Sequence, residues 1–123
     1  MRESKLWTWH ILSAVVIVVL LGAHMGTMHL GGLLERLGVG SGDPVDWARV
    51  LHRSRQTGYM ATYITLLGAG LFHGLYGLRS LFLELSLPKR AERAVGGVLA
   101  VAGIALFIYG SYVAVALVRG SGV

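Results

Sequence analysis

Several side chains capable of chemistry lie within long apolar segments of this sequence. His10 and His24 occur in the first such segment, and His73 occurs in the second, which ends with Arg79 and Glu84. A neutral imidazole can bind a metal ion and is a common axial ligand of haem iron. Ionisable residues inside a membrane span are costly and are usually functional. Whether these segments cross a membrane therefore decides how the residues are interpreted.

The sequence contains three long windows without Asp, Glu, Lys or Arg, at positions 6–34, 56–78 and 94–118. Only 14% of the 123 residues are charged, whereas about 25% is usual in soluble domains. About 20 apolar residues of helix cross a bilayer core, so each window is long enough. We predict an all-α membrane protein with one anchor domain over 1–123, whose transmembrane helices span about 6–33, 57–85 and 94–118.

Composition excludes several functions. The chain has no cysteine, so it can hold no disulfide, iron–sulfur cluster or c-type haem attachment. The cations behind its net charge of +5 flank the apolar windows, which predicts contact with membrane lipid and no nucleic-acid partner. Little soluble mass remains, so we expect no catalytic residues and a non-catalytic role.

The segment DPVDWARVLHRSR predicts a short amphipathic helix between the first and second spans, lying at the membrane surface. Asp43 is a suitable N-cap and Pro44 fits the first helical position. The apolar stripe of this helix comprises Trp47, Val50 and Leu51, opposite Arg49, Arg53 and Arg55. The compact KRAER loop favours the cytoplasmic side. We therefore expect a multi-pass protein of a bacterial or archaeal cytoplasmic membrane, with a cytoplasmic N-terminus.

Glycines recur at helical spacing in all three spans. In the third span, glycines seven residues apart form a stripe: Gly96, Gly103 and Gly110. The first span has a G-x-x-x-G pair at Gly22 and Gly26, and the second has one at Gly70 and Gly74. Such spacing lets helices approach closely. A second interpretation is that the pairs beside His24 and His73 leave space for a flat macrocycle.

His24 and His73 are the histidines predicted to lie deepest in the membrane. Each is either a packing and hydrogen-bonding residue or a haem ligand. At about 1.5 Å per helical residue, their depths differ by roughly 9 Å. That offset favours two haems at different levels, each completed by a ligand from a partner chain. His10 precedes His24 by about four turns and should face a similar direction.

Polar groups are also predicted to meet at one membrane interface, where His10, Ser13, Arg79 and Glu84 share a level. They could hydrogen-bond a quinone head group and relay protons. Alternatively, Arg79 and Glu84 simply extend towards water, as many such residues do.

The second span reads H-x3-G-x-R-x4-E, formed by His73, Gly77, Arg79 and Glu84. This pattern resembles the second helix of the cytochrome b membrane anchors of succinate dehydrogenase and fumarate reductase, respiratory complex II. In that family an aspartate usually stands where this chain has Glu84. WHILSAV is similar to the family's H-R-x-S-G opening at His10, Ser13 and Ala14, with Ile11 in place of the arginine. LGAHM places His24 where anchors with two haems have a ligand.

The resemblance implies an anchor that binds one or two haems b, shared with a partner chain, and passes electrons to membrane quinone. His73 and His24 would be the axial ligands, and haem-pocket packing would come from Gly74, Gly77, Gly22 and Gly26. It implies three partners: a flavoprotein subunit, an iron–sulfur subunit and a second membrane anchor. Two alternatives stay open. One is a haem-b quinone-reactive subunit of another membrane oxidoreductase, and the other is a cofactor-free three-helix scaffold.

Overall fold

The computed structural model describes residues 2–39, 42 and 46–120 of the chain. These residues form four helices, which are α1 (Arg2–Arg36), α2 (Trp47–Ser54), α3 (Thr57–Glu84) and α4 (Lys89–Arg119). The three long helices are each long and apolar enough to cross a membrane. The short α2 lies between the first and second of them. The predicted fold class is therefore confirmed.

The long helices reach beyond the apolar windows that predicted them. α1 continues to Arg36, and α4 begins at Lys89 rather than near Ala94. Charged residues near a helix end can remain helical while their side chains extend to the membrane surface. The link between α3 and α4 is short: Leu85 is the C-cap of α3, Ser86 adopts φ 52°, and Pro88 directly precedes α4.

The predicted amphipathic helix is present as α2 and packs beside α3 and α4. Its predicted N-cap Asp43 and the following Pro44 lie outside the described residues. The stripe faces the bundle only in part, because Val50 and Leu51 are half-buried whereas Trp47 is 75% exposed. A contact of 3.4 Å from Arg53 Nη2 to Met28 Sδ links α2 to α1.

α3 is the central helix. It packs against α1 and against α4, whereas α1 and α4 do not contact each other within the described residues. Three helices in such a row bury little surface. No hydrophobic side chain is fully buried in the described part of the chain, and the only buried polar residue there is Ser13, 7% exposed. Lipid is as apolar as leucine, so a membrane helix gains little by hiding its apolar side chains.

The glycine stripe of α4 lies against α3. A Cβ atom added at Gly103 would lie 2.5 Å from Leu75 Cδ1, and one at Gly110 would lie 2.5 Å from Leu67 Cδ2. At Gly96 the nearest atom is Arg79 Nε, at 3.5 Å. The prediction that this stripe permits close helix packing is therefore confirmed.

The two G-x-x-x-G pairs are different. A Cβ atom at any of these four glycines would meet no atom within 4 Å in the described structure: Gly22, Gly26, Gly70 and Gly74. Neither pair packs against another helix within the described part of the chain. Both are open grooves on the outside of the row of helices.

Candidate functional site

The polar side chains between α1 and α3 converge on a pair of stacked histidines. The rings of His10 and His73 have centroids 4.1 Å apart and planes only 4° from parallel. His10 and Ser13 share a face of α1 because they are three residues apart on a helix of 3.6 residues per turn. That face is turned towards α3, and it brings a residue predicted for the quinone site onto a residue predicted to bind haem.

Hydrogen bonds hold His73 in one orientation. Ser13 Oγ donates to the His10 carbonyl at 2.6 Å. His73 Nδ1 lies 3.2 Å from the same carbonyl and 3.3 Å from Ser13 Oγ. A carbonyl oxygen can only accept, so Nδ1 carries the proton and Nε2 keeps its lone pair. Within the described residues, Nε2 of His73 has no hydrogen-bond partner.

The partner ring has an unpaired atom of its own. Nδ1 of His10 is buried and has no hydrogen-bond partner in the described structure. A buried nitrogen of this kind costs stability, so each such case calls for an explanation. Two neighbours shape its surroundings. The Tyr76 ring lies 5.0 Å from the His10 ring, and a Cβ atom on Gly77 would lie 3.6 Å from His10 Cε1.

His24 forms a separate cluster. Its ring is half-buried and meets the edge of the Tyr63 ring at 5.8 Å, and Tyr63 in turn lies 6.2 Å from Tyr59. His24 and His10 therefore both contact α3, which confirms that they face a similar direction. They contact it at different heights, because fourteen residues of α1 separate them by roughly 21 Å. The structure thus does not bring His24 into the cluster around His73.

The four residues predicted for the quinone site do not meet in this chain. His10 and Ser13 lie between α1 and α3. Arg79 lies on a different face of α3, where it lines a groove against α4 and its Nε approaches Gly96. Glu84, the last residue of α3, is exposed. His10 and Ser13 therefore lie on the α1 side of α3, whereas Arg79 lies on its α4 side.

The chain is similar over most of its length to a curated membrane-anchor protein. Over 110 residues, the chain is 27% identical to a succinate dehydrogenase hydrophobic membrane anchor subunit from Archaeoglobus fulgidus. The match covers 89% of this chain and 86% of the relative. The predicted resemblance to complex II anchors is confirmed. No family model matches the chain, and no solved structure matches it.

The similarity to a membrane anchor agrees with the three apolar helices, and the chain is a multi-pass membrane protein. Within the described residues, no group of three or more His, Cys, Asp or Glu side chains could hold a bare metal ion. A haem iron is different, because its four equatorial ligands come from the macrocycle and the protein supplies only axial ligands.

Sequence reasoning missed Tyr76 in this anchor-like chain. Tyr76 follows His73 by three residues, so helical spacing places both near the same side of α3. That spacing was the available signal. The direct pairing of His10 with His73 was missed as well, because spacing within one helix carries no information about which residue of another helix it meets.

Proposed function

We propose that this chain is the haem-b-binding membrane-anchor subunit of a succinate:quinone oxidoreductase. In this role it docks the iron–sulfur subunit at the membrane and passes electrons to membrane quinone, while a flavoprotein subunit oxidises succinate. Two findings support the proposal: the similarity to a succinate dehydrogenase anchor and the geometry of His73. The observation that carries the haem assignment is the fixed orientation of the His73 ring.

The His73 site fits a haem iron chemically. A metal-binding histidine usually donates its second ring N–H to a carbonyl, a carboxylate or water, which fixes the tautomer and makes the ligating nitrogen more basic. His73 Nδ1 has this contact with the His10 carbonyl at 3.2 Å. Nε2 is the atom that would ligate iron. When bound, haem would supply a one-electron carrier within the membrane.

The second axial ligand would come from a partner chain, since the described part of this chain places no other histidine where it could serve the same iron. His10 stacks ring against ring on His73 and so would not hold the same haem together with it. The open grooves at Gly70 and Gly74 lie on the same helix as His73. They leave room for the macrocycle or for a helix of a second anchor subunit.

His24 is the weaker candidate for a second haem. Its ring has an edge contact with Tyr63, and within the described residues its nitrogens have no hydrogen bond. Nothing there fixes its tautomer as the His10 carbonyl does for His73. We propose His24 as a ligand only where a second haem is present, with Gly22 and Gly26 providing space beside it.

For quinone, we propose contact through His10 and Ser13. The unpaired Nδ1 of His10 could accept or donate a hydrogen bond, depending on its tautomer. Partner subunits would complete the site. Arg79 lies on another face of α3, and Glu84 follows His73 by eleven residues, roughly 16 Å along the helix. Any contact they make with a quinone would therefore be formed apart from His10.

The optical spectrum of the purified membrane complex tests the haem assignment. We expect the reduced-minus-oxidised difference spectrum to contain a b-type α-band. His73→Ala should abolish at least one haem signal, because it removes the Nε2 atom proposed to bind the iron. His29→Ala is a matched control, since His29 is an exposed histidine of α1. An unchanged spectrum in His73→Ala would refute the assignment.

The anchor role is tested separately by purification of the tagged chain from its native membrane. We expect a flavoprotein and an iron–sulfur subunit to co-purify, together with succinate oxidation measured with an artificial electron acceptor. Co-purification without a b-type band would leave an anchor that lacks haem. A haem band together with subunits of another oxidoreductase would support a haem-b quinone-reactive subunit of that enzyme. The absence of both haem and partner subunits would support a cofactor-free scaffold.

A further inference from the structure

A groove between α3 and α4 has no role in the proposed function. Its volume is about 470 Å³, which is within the usual range of about 300–1,000 Å³ for small-molecule pockets. Its walls are apolar and are formed by side chains of both helices, among them Phe72, Leu75, Leu99 and Phe107. We call it the α3–α4 groove.

Arg79 is the only charged residue that lines this groove. Its side chain is half-buried, and within the described residues it has neither an ion-pair nor a hydrogen-bond partner. Its Nε lies 3.5 Å from where a Cβ atom of Gly96 would be, so the guanidinium reaches from α3 to α4. A partly buried cation without a counter-ion is unfavourable in an apolar environment, and an anionic ligand would relieve that cost.

The groove also has a characteristic length. On α3 it runs from Gly68 to Arg79, and on α4 from Gly96 to Phe107. Each stretch of helix is roughly 16 Å long, about half of a hydrocarbon core of about 30 Å. One end is apolar and the other carries Arg79. The groove therefore has the depth of a single lipid leaflet, with its cation at one end.

Further cations occur at the same end. Lys89, Arg93, Gly96 and Ala100 are spaced four, three and four residues apart, so they share one face of α4. Lys89 and Arg93 are exposed. Two carboxylates and a further arginine also lie at this end, which carries a net charge of +2 over Arg79, Glu84, Lys89, Arg90, Glu92 and Arg93. An anion at this end would meet an excess of positive charge.

We propose that the α3–α4 groove binds an anionic phospholipid. The phosphate contacts Arg79, with Lys89 and Arg93 close by, and one hydrocarbon chain lies along the groove towards Phe107. The lipid would fill the space left by the glycines of α4 and would join α3 to α4 at this end. The proposal does not depend on haem or quinone, because His73 faces α1 and Arg79 lines a different face of α3.

Native mass spectrometry of the purified complex tests the proposal. The complex is exchanged into nanodiscs of equimolar phosphatidylglycerol and phosphatidylcholine, and the lipids retained after removal of the nanodisc are counted. We expect phosphatidylglycerol to be enriched about tenfold, since charge-assisted hydrogen bonds contribute more than about 1.4 kcal/mol. Arg79→Gln should reduce the enrichment to near unity, whereas Arg79→Lys should preserve most of it.

Two further variants separate charge from shape. Ala100→Leu fills the groove without changing any charge, and we expect it to release the lipid. Ala105→Leu should not release the lipid, because Ala105 is on α4 but does not line the groove. Arg119→Gln is the charge control, because Arg119 is an exposed cation at the other end of α4. If Ala100→Leu prevents assembly of the complex, the comparison of Arg79→Gln with Arg79→Lys alone tests whether the lipid is bound through the positive charge.

Three outcomes would overturn the proposal. The first is equal retention of the neutral-headgroup lipid and phosphatidylglycerol by the wild-type complex. The second is unchanged enrichment in Arg79→Gln. The third is a quinone retained in an Arg79-dependent manner in place of the phospholipid, which would assign the groove to the electron acceptor.

Discussion

The two faces that α3 presents to its neighbours are built from different chemistry. Towards α4 it presents Leu67 and Leu75, which fit against glycines. Towards α1 it presents His73, which stacks on His10 and whose Nδ1 contacts the His10 carbonyl and Ser13 Oγ. At Gly103 and Gly110 the α4 contact is explained by helix packing alone. The α1 contact contains an unpaired buried nitrogen and a ring held in one tautomer, which packing does not require.

From this difference we propose that the glycine contacts of α4 are structural and that the α1 contact is functional. Small residues against leucine give close helix approach in a membrane without any polar group. Imidazoles between two membrane helices are costly and indicate a functional site. Substitutions at the α4 contact should therefore affect stability first, and substitutions at the α1 contact should affect haem first.

The largest expected effect is at the α4 contact. In Gly103→Leu the new side chain would collide with Leu75, so we expect a loss of about 1–3 kcal/mol of stability. The fraction of the complex that survives graded heating in detergent, measured by gel filtration, reports this loss. Gly97→Leu is the matched control, because no atom lies within 4 Å of a Cβ atom there. Equal effects of the two substitutions would argue against close packing at Gly103.

The second effect concerns the α1 contact. Ser13→Ala removes the hydroxyl that donates to the His10 carbonyl and approaches His73 Nδ1. Groups that orient a metal ligand commonly change metal affinity about tenfold or more, so we expect haem retention to fall by about tenfold. The amount of haem that remains per complex after dialysis against apomyoglobin measures this retention.

Thr27→Ala is the control for Ser13→Ala. Thr27 Oγ1 donates to the carbonyl of His24, three residues earlier, in the same kind of bond that Ser13 makes with His10. Thr27 Oγ1 has no hydrogen bond to a histidine ring in the described structure. If both variants lose haem equally, the hydroxyl of Ser13 does not act through His73.

A smaller effect distinguishes the two roles of the His10 ring. His10→Phe keeps an aromatic ring against His73 and removes the unpaired Nδ1, so we expect the variant to be at least as stable as the wild type. His10→Ala removes the stack and should lose about 0.5–1.5 kcal/mol. The graded-heating assay measures the stability of both variants. A markedly destabilised His10→Phe would mean that Nδ1 has a partner in the assembled complex.

The smallest effect is expected at Gly77. A Cβ atom there would lie 3.6 Å from His10 Cε1, an ordinary contact distance. Gly77→Ala should therefore change stability by no more than about 0.5 kcal/mol. Gly74→Ala, which meets nothing within 4 Å, is its control. A larger loss of haem in Gly77→Ala than in Gly74→Ala would indicate that the haem itself, rather than His10, lies against Gly77.

Much of the fold follows from the sequence because membrane insertion depends on local composition. Charge-free windows predicted the three long helices, and their lengths matched a bilayer. The helix ends were less predictable, since charged residues at the ends of α1 and α4 continue the helix beyond the apolar windows. The α4 glycine stripe was also predictable, because a spacing of seven keeps residues on one face of a helix.

The sequence by itself determined which residues share a face of one helix, and so it placed His10, Ser13 and His24 together on α1. Only the tertiary structure decided which face meets which helix. In water, an apolar stripe would show the buried side of each helix. In lipid, both the packed and the lipid-facing sides are apolar, so rotation about the helix axis leaves little trace in the pattern. For that reason the stacking of His10 on His73, and the separation of Arg79 from both, emerged only from the packed helices.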